Sequence, residues 1–542
     1  MTSTDSTTTY WLQEIDRALM QEDSWRERSK KIIARYRDER PAHETGARFN
    51  ILWSNIETLN PALYANTPKP VIERRFKDKD VAALQASLLL ERALETEMEA
   101  DDFDAIMRRI VQDYLLCGRG VARVQYKYKA EGVPEFITSE RACLTPVYWE
   151  DFLMAPSRRF DETSWVAFRS YLSRDQLTGR FGVEKANQAK LDWKPAGDET
   201  GLDLEKSGKA VVWEIWDKDA KQVHWLAPNS KLLLDSQDDP LRLDGFFPCP
   251  APLLANVTND SMIPIPDFVQ YQDQALELDI LTARISALAK VIRLRGVYDA
   301  SAEPLSRLLS EYLDENELIP VEQWSTLTQK GGLDGVLAWL PIERMVQVLN
   351  QLYAARERIK QDLYEVTGIA DVLRGASHPS ETATAQQIKT RFASLRLEQR
   401  QLAVARFARD CLRLKAQVIA EHFADITLSA MTGLPVAPEV MMLLRQNQLR
   451  DYRIDIETDS TIAVDEQLEK RSRTEFLGAI TSFLKEIAPL VSQGIVPLGI
   501  AKEMLLMGMR GYRIARQLED TVDEFVSAAA PPQVQTSALP VA

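Results

Sequence analysis

The chain has 542 residues, enough for several domains, and its 45% hydrophobic and 27% charged residues are those of a globular protein, not a disordered one. A net charge of −14 argues against a surface-wide polyanion clamp, because nucleic-acid binders of that kind are usually basic. Four scattered cysteines (Cys117, Cys143, Cys249, Cys411) form no C-x-x-C pair and suit a reducing compartment. No apolar run approaches the ~18 residues of a membrane span, and Met1 to Thr9 lacks the basic and apolar regions of a secretory signal. The expectation is a soluble protein, made inside the cell, with no membrane partner.

Trp11, Ile15, Ala18 and Leu19 recur at helical spacing, and a charged stretch follows from Trp25 until Pro41. Asn50 to Tyr64 carries another apolar stripe, ended by Thr67-Pro68-Lys69-Pro70. Asp80 to Cys117 reads as two helices meeting near Asp101-Asp102. The period then shortens. Val121 to Tyr128 alternates as a strand, and Leu144–Trp149, Trp165–Leu172, Val211–Trp216 and Gln222–Leu234, with a Pro228-Asn229 turn, follow as strand candidates. Lys194 to Gly208 is a polar loop. This middle third is a mixed α+β module rich in tryptophan.

After Pro264 the chain turns helical. Phe268, Tyr271, Ala275, Leu278, Thr282, Ile285, Ala289 and Ile292 alternate spacings of three and four, a narrow seam on one long helix. Short helices around Leu305–Leu313 and Ile319–Leu327 follow. Pro341 opens a second long helix with Met345, Val348, Leu352, Ala355, Ile359 and Val366 on one face, stopped by Gly368. Beyond the breakers Arg374 to Ser380, a helix capped by Ser380 runs to about Asp425, its stripe Ile388, Phe392, Leu395 and Leu402. Arg453–Ile462 returns to strand alternation. Glu466–Phe525 is helical with breaks at Pro489 and Pro497, and the Ala/Pro/Gln-rich end reads as disordered.

Catalytic signatures are missing from the sequence: no Walker loop, no G-x-S-x-G elbow and no H-E-x-x-H. Gly118-Arg119-Gly120 starts like a dinucleotide fingerprint, but Arg123 stands where the third glycine belongs, which favours a helix-to-strand turn. The histidines are isolated. Asp455, Glu457 and Asp459 share one face of a strand, a pattern divalent metals favour and a two-metal nuclease needs. A solvated strand face is the plainer account, since no basic or His partner stands nearby. Asp235, Asp238 and Asp239 read as a solvated acidic turn. The chain is therefore expected not to be an enzyme and to need no metal or cofactor.

Charge and shape say more. The helix after Ser380 carries Lys389, Arg391, Arg396, Arg400, Arg406, Arg409, Arg413 and Lys415 against Glu398 and Asp410. Such a helix faces either acidic protein surface or a polyanion, with acidic protein the favoured partner. Two long rods with one thin seam each, flanking Pro304 to Gly335, cannot bury those seams alone. Copies packed in a closed ring would shelter them.

The order of these elements resembles the portal proteins, the head-to-tail connectors of tailed double-stranded DNA bacteriophages, in the short-tailed style. The segments behind the resemblance are Ile51–Leu59 leading to Tyr64–Pro68, Val212–Asp217, Gly368-Ile369 followed by Ser380-Glu381-Thr382-Ala383-Thr384-Ala385, and Asp455–Thr461. The resemblance implies a mainly α subunit with an α+β wing module, a long-helix stem, a clip and a short helical crown, assembling into a ring, typically of twelve subunits. The wing would take residues 1–264 and 381–464, the stem helices 265–292 and 342–368, the clip 293–341, the tunnel loop 369–380, the crown 465–526 and a disordered tail 527–542. Its implied partners are double-stranded DNA in the channel, the terminase large subunit, a tail adaptor protein, and the major capsid protein with its scaffold, at a capsid vertex of the virion. A channel for a sliding polyanion needs weak, exchangeable contacts. Arg374 and His378 in the tunnel loop, with Lys290 and Arg293 at the stem–clip junction, are the expected ones. Glu311, Asp314, Glu315 and Glu317 offer the clip an acidic edge for a basic docking partner.

Overall fold

The computed structural model describes residues 3–40, 46–74, 81–131, 136–193, 208–292, 296–298, 337–339, 342–369, 383–445, 452–456, 466–492, 500–501 and 504–505. Over these residues the chain is mostly helical with antiparallel sheets, and it divides into two units, Met1–Ile462 and Ala463–Ala542.

Helix α1 (Ser3–Tyr36) is a single rod through the charged stretch. Its first half lays Trp11, Ile15 and Ala18 on one sheet face, and its second half sends Trp25 and Ile32 into the main core. Helix α2 (Ile51–Leu63) starts where the Asn50 side chain accepts the Trp53 N–H at 3.2 Å. Strand β1 (Pro70–Arg74) follows, where the sequence suggested only a break. It pairs antiparallel with Tyr452–Ile456. Helices α3 (Val81–Asp101) and α4 (Phe103–Cys117) meet at Asp102, which takes a left-handed φ of 55° and caps α4 through the Ala105 N–H.

Gly118, at φ 85°, ends α4 and turns the chain into β2 (Arg119–Glu131), so the glycine pair is the helix-to-strand turn expected. Gly120 lies flat against α4: a Cβ there would stand 2.6 Å from the Ile110 carbonyl oxygen. Backbone cannot yield as a side chain can, so we expect Gly120→Ala to lower stability by at least about 1–3 kcal/mol. Denaturant titration checks it, and an unchanged midpoint would contradict this packing. Strand β3 (Phe136–Val147) pairs with β2 from Val121↔Val147 to Glu131↔Phe136, beginning eight residues before the expected Leu144.

Strands β4 (Phe152–Met154) and β5 (Trp165–Leu172), two short helices α5 (Arg174–Phe181) and α6 (Val183–Gln188), then β6 (Ala210–Asp217), β7 (Gln222–Ala227) and β8 (Leu232–Asp238) come next. The strands form one antiparallel sheet in sequence order. Alternate side chains point to opposite faces. Trp165, Ala167, Trp213, Ile215 and Leu226 meet the first half of α1, with Trp11 edge-on to Trp165 at 6.0 Å. Val166, Phe168, Val212 and Trp216 join the main core. The helices α5 and α6 were not expected, although Ser173 and Gln176 form a reciprocal capping box. Asp235 and Asp238 lie on β8 itself, because its pairing with β7 continues to Gln222↔Asp238.

Strand β9 (Leu253–Leu254) adds to the edge of β2, and β10 (Asn256–Thr258) pairs with β11 (Ser261–Ile265). One 3₁₀ turn (Asp267–Gln270) leads into α7 (Gln272–Val291). Strands β12 (Gly296–Tyr298) and β13 (Leu337–Trp339) pair antiparallel, and α8 (Ile342–Thr367) returns, ending at Gly368 with φ 69° as expected. Helix α9 (Ala383–His422) is 40 residues long, followed by α10 (Asp425–Thr432), α11 (Pro438–Arg445) and β14 (Tyr452–Ile456). In the second unit, α12 (Glu466–Ser492) runs through Pro489 instead of breaking there. The proline has no backbone N–H to give the helical ladder at that position. The helices expected near Leu305–Leu313 and Ile319–Leu327, the loop Lys194–Gly208 except for Gly208 itself, and the tail lie outside the described residues.

Candidate assembly surface and channel residues

Helices α7 and α8 pack against each other as a hairpin, and two carboxylates pin its base to the body. Asp279, on α7, accepts the Phe49 N–H at 2.9 Å and pairs with Arg35 at 2.5 Å. Asp267, just before α7, receives a two-pronged contact from Arg400 at 2.6 and 3.0 Å and a third bond from Asn256 at 2.7 Å. Both oxygens of Asp267 are thus occupied, which suits it to fastening.

Beside this junction lies a cavity of about 420 Å³ bounded by Tyr114, Tyr271, Gly368, Arg396 and Arg400. Burial pushes the Tyr114 hydroxyl up to about 12, with Arg400 opposing and Asp267 reinforcing the shift. The phenol therefore stays neutral and acts as a wall.

The seam expected on α7 is partly sheltered inside the chain, although neither rod was expected to bury its own, and Ala289 stays exposed. Ala275, Leu278 and Ile285 are buried, because the antiparallel partner and the body cover them. On α8 only Ile359 and Leu363 are buried, while Val348 and Val366 stay exposed. A second stripe on α7 is the exposed one. Leu276, Ile280, Ala287 and Val291 fall within one narrow sector of the helix and face outward. The spacing was present in the sequence, but the longer 3-4 seam masked it.

On α9 the two members of the expected stripe whose burial is described lie on the exposed side; the side chains of Ile388 and Phe392 are outside the described residues. The interior face of α9 is Val404, Ala408, Cys411, Lys415 and Ile419, whereas Leu395 and Leu402 are exposed. Several of its cations meet acidic groups within the chain: Arg400 with Asp267, Arg409 and Arg413 with Asp410, and Lys415 with Asp101 at 2.6 Å. The Arg400 and Lys415 pairs reach acids on other elements, the kind of pairing favoured above, while Arg409 and Arg413 share an acid of their own helix.

Of the expected channel residues, Lys290 sits exposed in the last turn of α7, where a cation suits the helix C-terminus. Arg293, Arg374 and His378 lie outside the described residues, as do Glu311, Asp314, Glu315 and Glu317. Asp455 is in β14 opposite Val71, while Glu457 and Asp459 lie outside the described residues. Among the described residues no group of three or more His, Cys, Asp or Glu is placed to hold a metal ion. His224 bonds Ser236 at 2.8 Å, and His422 stacks on Tyr126. No helix among the described residues is long and apolar enough to cross a membrane.

Sequence reasoning missed one buried network altogether. Glu22 on α1 binds Arg119 on β2 and Arg26 on its own helix, while both arginines reach the Phe152 carbonyl. The Arg119 guanidinium lies 4.2 Å from the Trp25 ring centre. No known family model matches the chain, and no curated protein matches it.

Proposed function

We propose that the chain is a portal protein. It would form the ring-shaped conduit at one capsid vertex through which double-stranded DNA is packaged and ejected, and offer the docking site for the terminase motor and then the tail adaptor. The observation carrying this reading is the hairpin of α7 and α8. It is fastened to an α+β body by Asp267 and Asp279, continues into the strand pair β12–β13, and leaves an apolar stripe exposed on α7 and separate apolar residues exposed on α8. A monomer gains nothing from exposed Leu276, Ile280, Val291, Val348 and Tyr353, whereas copies arranged around an axis would cover them.

In this reading residues 342–368 and 265–292 are the stem, 293–341 the clip and 369–380 the tunnel loop. Lys290 and Arg293, with Arg374 and His378, make weak contacts with passing phosphates, which the net charge of −14 per subunit keeps from becoming a clamp. Glu311, Asp314, Glu315 and Glu317 form the acidic edge of the clip on which the motor docks. The chain performs no catalysis of its own. Native mass measurement with end-on imaging tests the proposal: a closed ring with a central hole is expected, at a whole multiple of 61.5 kDa. Material remaining at the single-chain mass at tens of micromolar would refute it.

A further inference from the structure

We infer that α9 of one subunit receives α7 of its neighbour, antiparallel, as the contact that repeats around the ring. The inference rests on the ring reading and names the two surfaces that meet. On α9, Leu395, Gln399, Leu402, Arg406, Arg409 and Arg413 succeed one another at spacings of four and three. That is the period of a helix-pairing seam. The seam points away from the chain's own core: Leu395 is 49% and Leu402 37% exposed. It is apolar at its N-terminal end and cationic at its C-terminal end.

Helix α7 carries the complementary stripe in reverse order. Asp273 and Glu277 are exposed at its start, and Leu276 (61% exposed), Ile280 (45%) and Ala287 continue along the same side. Laid antiparallel, Ile280 falls beside Leu402, small Ala287 beside Leu395, and Asp273 and Glu277 beside Arg409 and Arg406. Asp273 to Ala287 and Leu395 to Arg409 each cover fourteen residue steps, about 21 Å of helix. Within one chain Leu276, Ile280, Leu395 and Leu402 are all exposed, so the apolar parts of the two stripes are not each other's partners there, and Arg409 and Arg413 pair with Asp410 of their own helix. The outward face of α8 is the poorer mate, since its Val346 and Tyr353 are flanked by Glu343 and Glu357, which would oppose the acids of α7.

Two different surfaces meeting make a heterologous contact. Each copy then offers one half to either side, and such a contact closes a ring where a self-complementary one would stop at a dimer. A single helix pair of this length buries too little to hold two chains strongly, so closure is what makes it stable.

Charge reversal with rescue tests the pairing. Asp273→Arg with Glu277→Arg, and separately Arg406→Glu with Arg409→Glu, should each shift the sedimenting species from the ring to the single chain at low salt. Circular dichroism should report unchanged helix content. The chain carrying all four reversals should return to the ring. Two further variants, Ile280→Cys and Leu402→Cys, combined in one chain, should give an intermolecular cross-linked ladder on oxidation. Rings that persist in both reversed chains would overturn this pairing while leaving the ring reading standing. A wild-type chain that never leaves the single-chain mass would remove the ring reading and the pairing with it.

Discussion

Replacing Arg119 by alanine should lower the stability of the first unit by about 3–5 kcal/mol, the range for stranding one member of a buried ion pair. Arg119 is fully buried and bonds both oxygens of Glu22 and the carbonyls of Trp149 and Phe152. These groups belong to α1, β2 and the entry to β4, so the guanidinium ties three segments that are far apart in sequence. Its removal leaves a carboxylate and a carbonyl short of donors, and Trp25 loses the cation over its ring. Arg26 remains and moderates the loss.

The same network gives the experiment a pH signature. Burial alone would push the Glu22 carboxyl up, but the charge and bonds of Arg119, then those of Arg26, more than offset it and hold the group below its ordinary value of 4.5. A carboxyl depressed in the folded state contributes stability that is present above the unfolded value and lost as pH falls through the folded one. Wild type should therefore lose this contribution on acidification below about pH 4.5. Without Arg119 the depression shrinks, and the acid limb of the variant's stability curve should flatten. Chemical unfolding from pH 7 to pH 3 reads both effects, and a parallel acid limb in the two proteins would exclude the assignment.

What the sequence disclosed was local, and what it concealed was distant. The break at Asp102, the glycine caps at Gly118 and Gly368 and the strand Trp165–Leu172 are set within a few residues of themselves, and local pattern finds them. Strand β1 stayed hidden because its partner, β14, lies more than 370 residues away. The Glu22–Arg119 pair spans 97 residues and carries no motif. The seams misled for a different reason. Periodicity places residues on a common side of a helix but does not say whether that side meets the chain's own core, a second copy or water. On α9 two stripes exist, and Leu395–Leu402 looked the more apolar, yet the chain buries Val404, Ala408, Cys411 and Lys415. A charged lysine in the interior stripe hid its true role.

Anchoring and exposure divide the labour along the hairpin. Asp267 and Asp279 fix its base through bonds that only a positioned body supplies, and the stripe on α7 lies on the other side from the buried Leu278 and Ile285. A rod held at its root presents its outer face in one fixed direction. That lowers the entropy cost of meeting a second copy. The ring reading therefore depends on the body's packing as much as on the apolar stripe.

Lys415 makes the second large prediction, because its two obvious substitutions should differ in size. Its ammonium is fully enclosed and bonds the Asp101 carboxylate at 2.6 Å and the Glu97 carbonyl at 3.0 Å. Asp101 has other donors, Arg141 at 2.8 Å and the Leu144 N–H at 2.6 Å. Lys415→Met removes a buried cation while leaving Asp101 served, and should cost no more than about 1–2 kcal/mol. Asp101→Ala strands Lys415 in the interior and should cost about 3–5 kcal/mol. Burial lowers the Lys415 pKa, and the charge of Asp101 restores only part of the loss. A base depressed in the folded state binds fewer protons there than when unfolded, so the site's contribution rises with pH as lysine's ordinary value of 10.5 is approached. Subtracting the curve of Lys415→Met from that of wild type isolates this slope from the tyrosines that titrate in the same range. The difference should climb between pH 8 and pH 10; a flat difference, or equal losses in the two variants, would mean that Lys415 is not the buried charge these contacts imply.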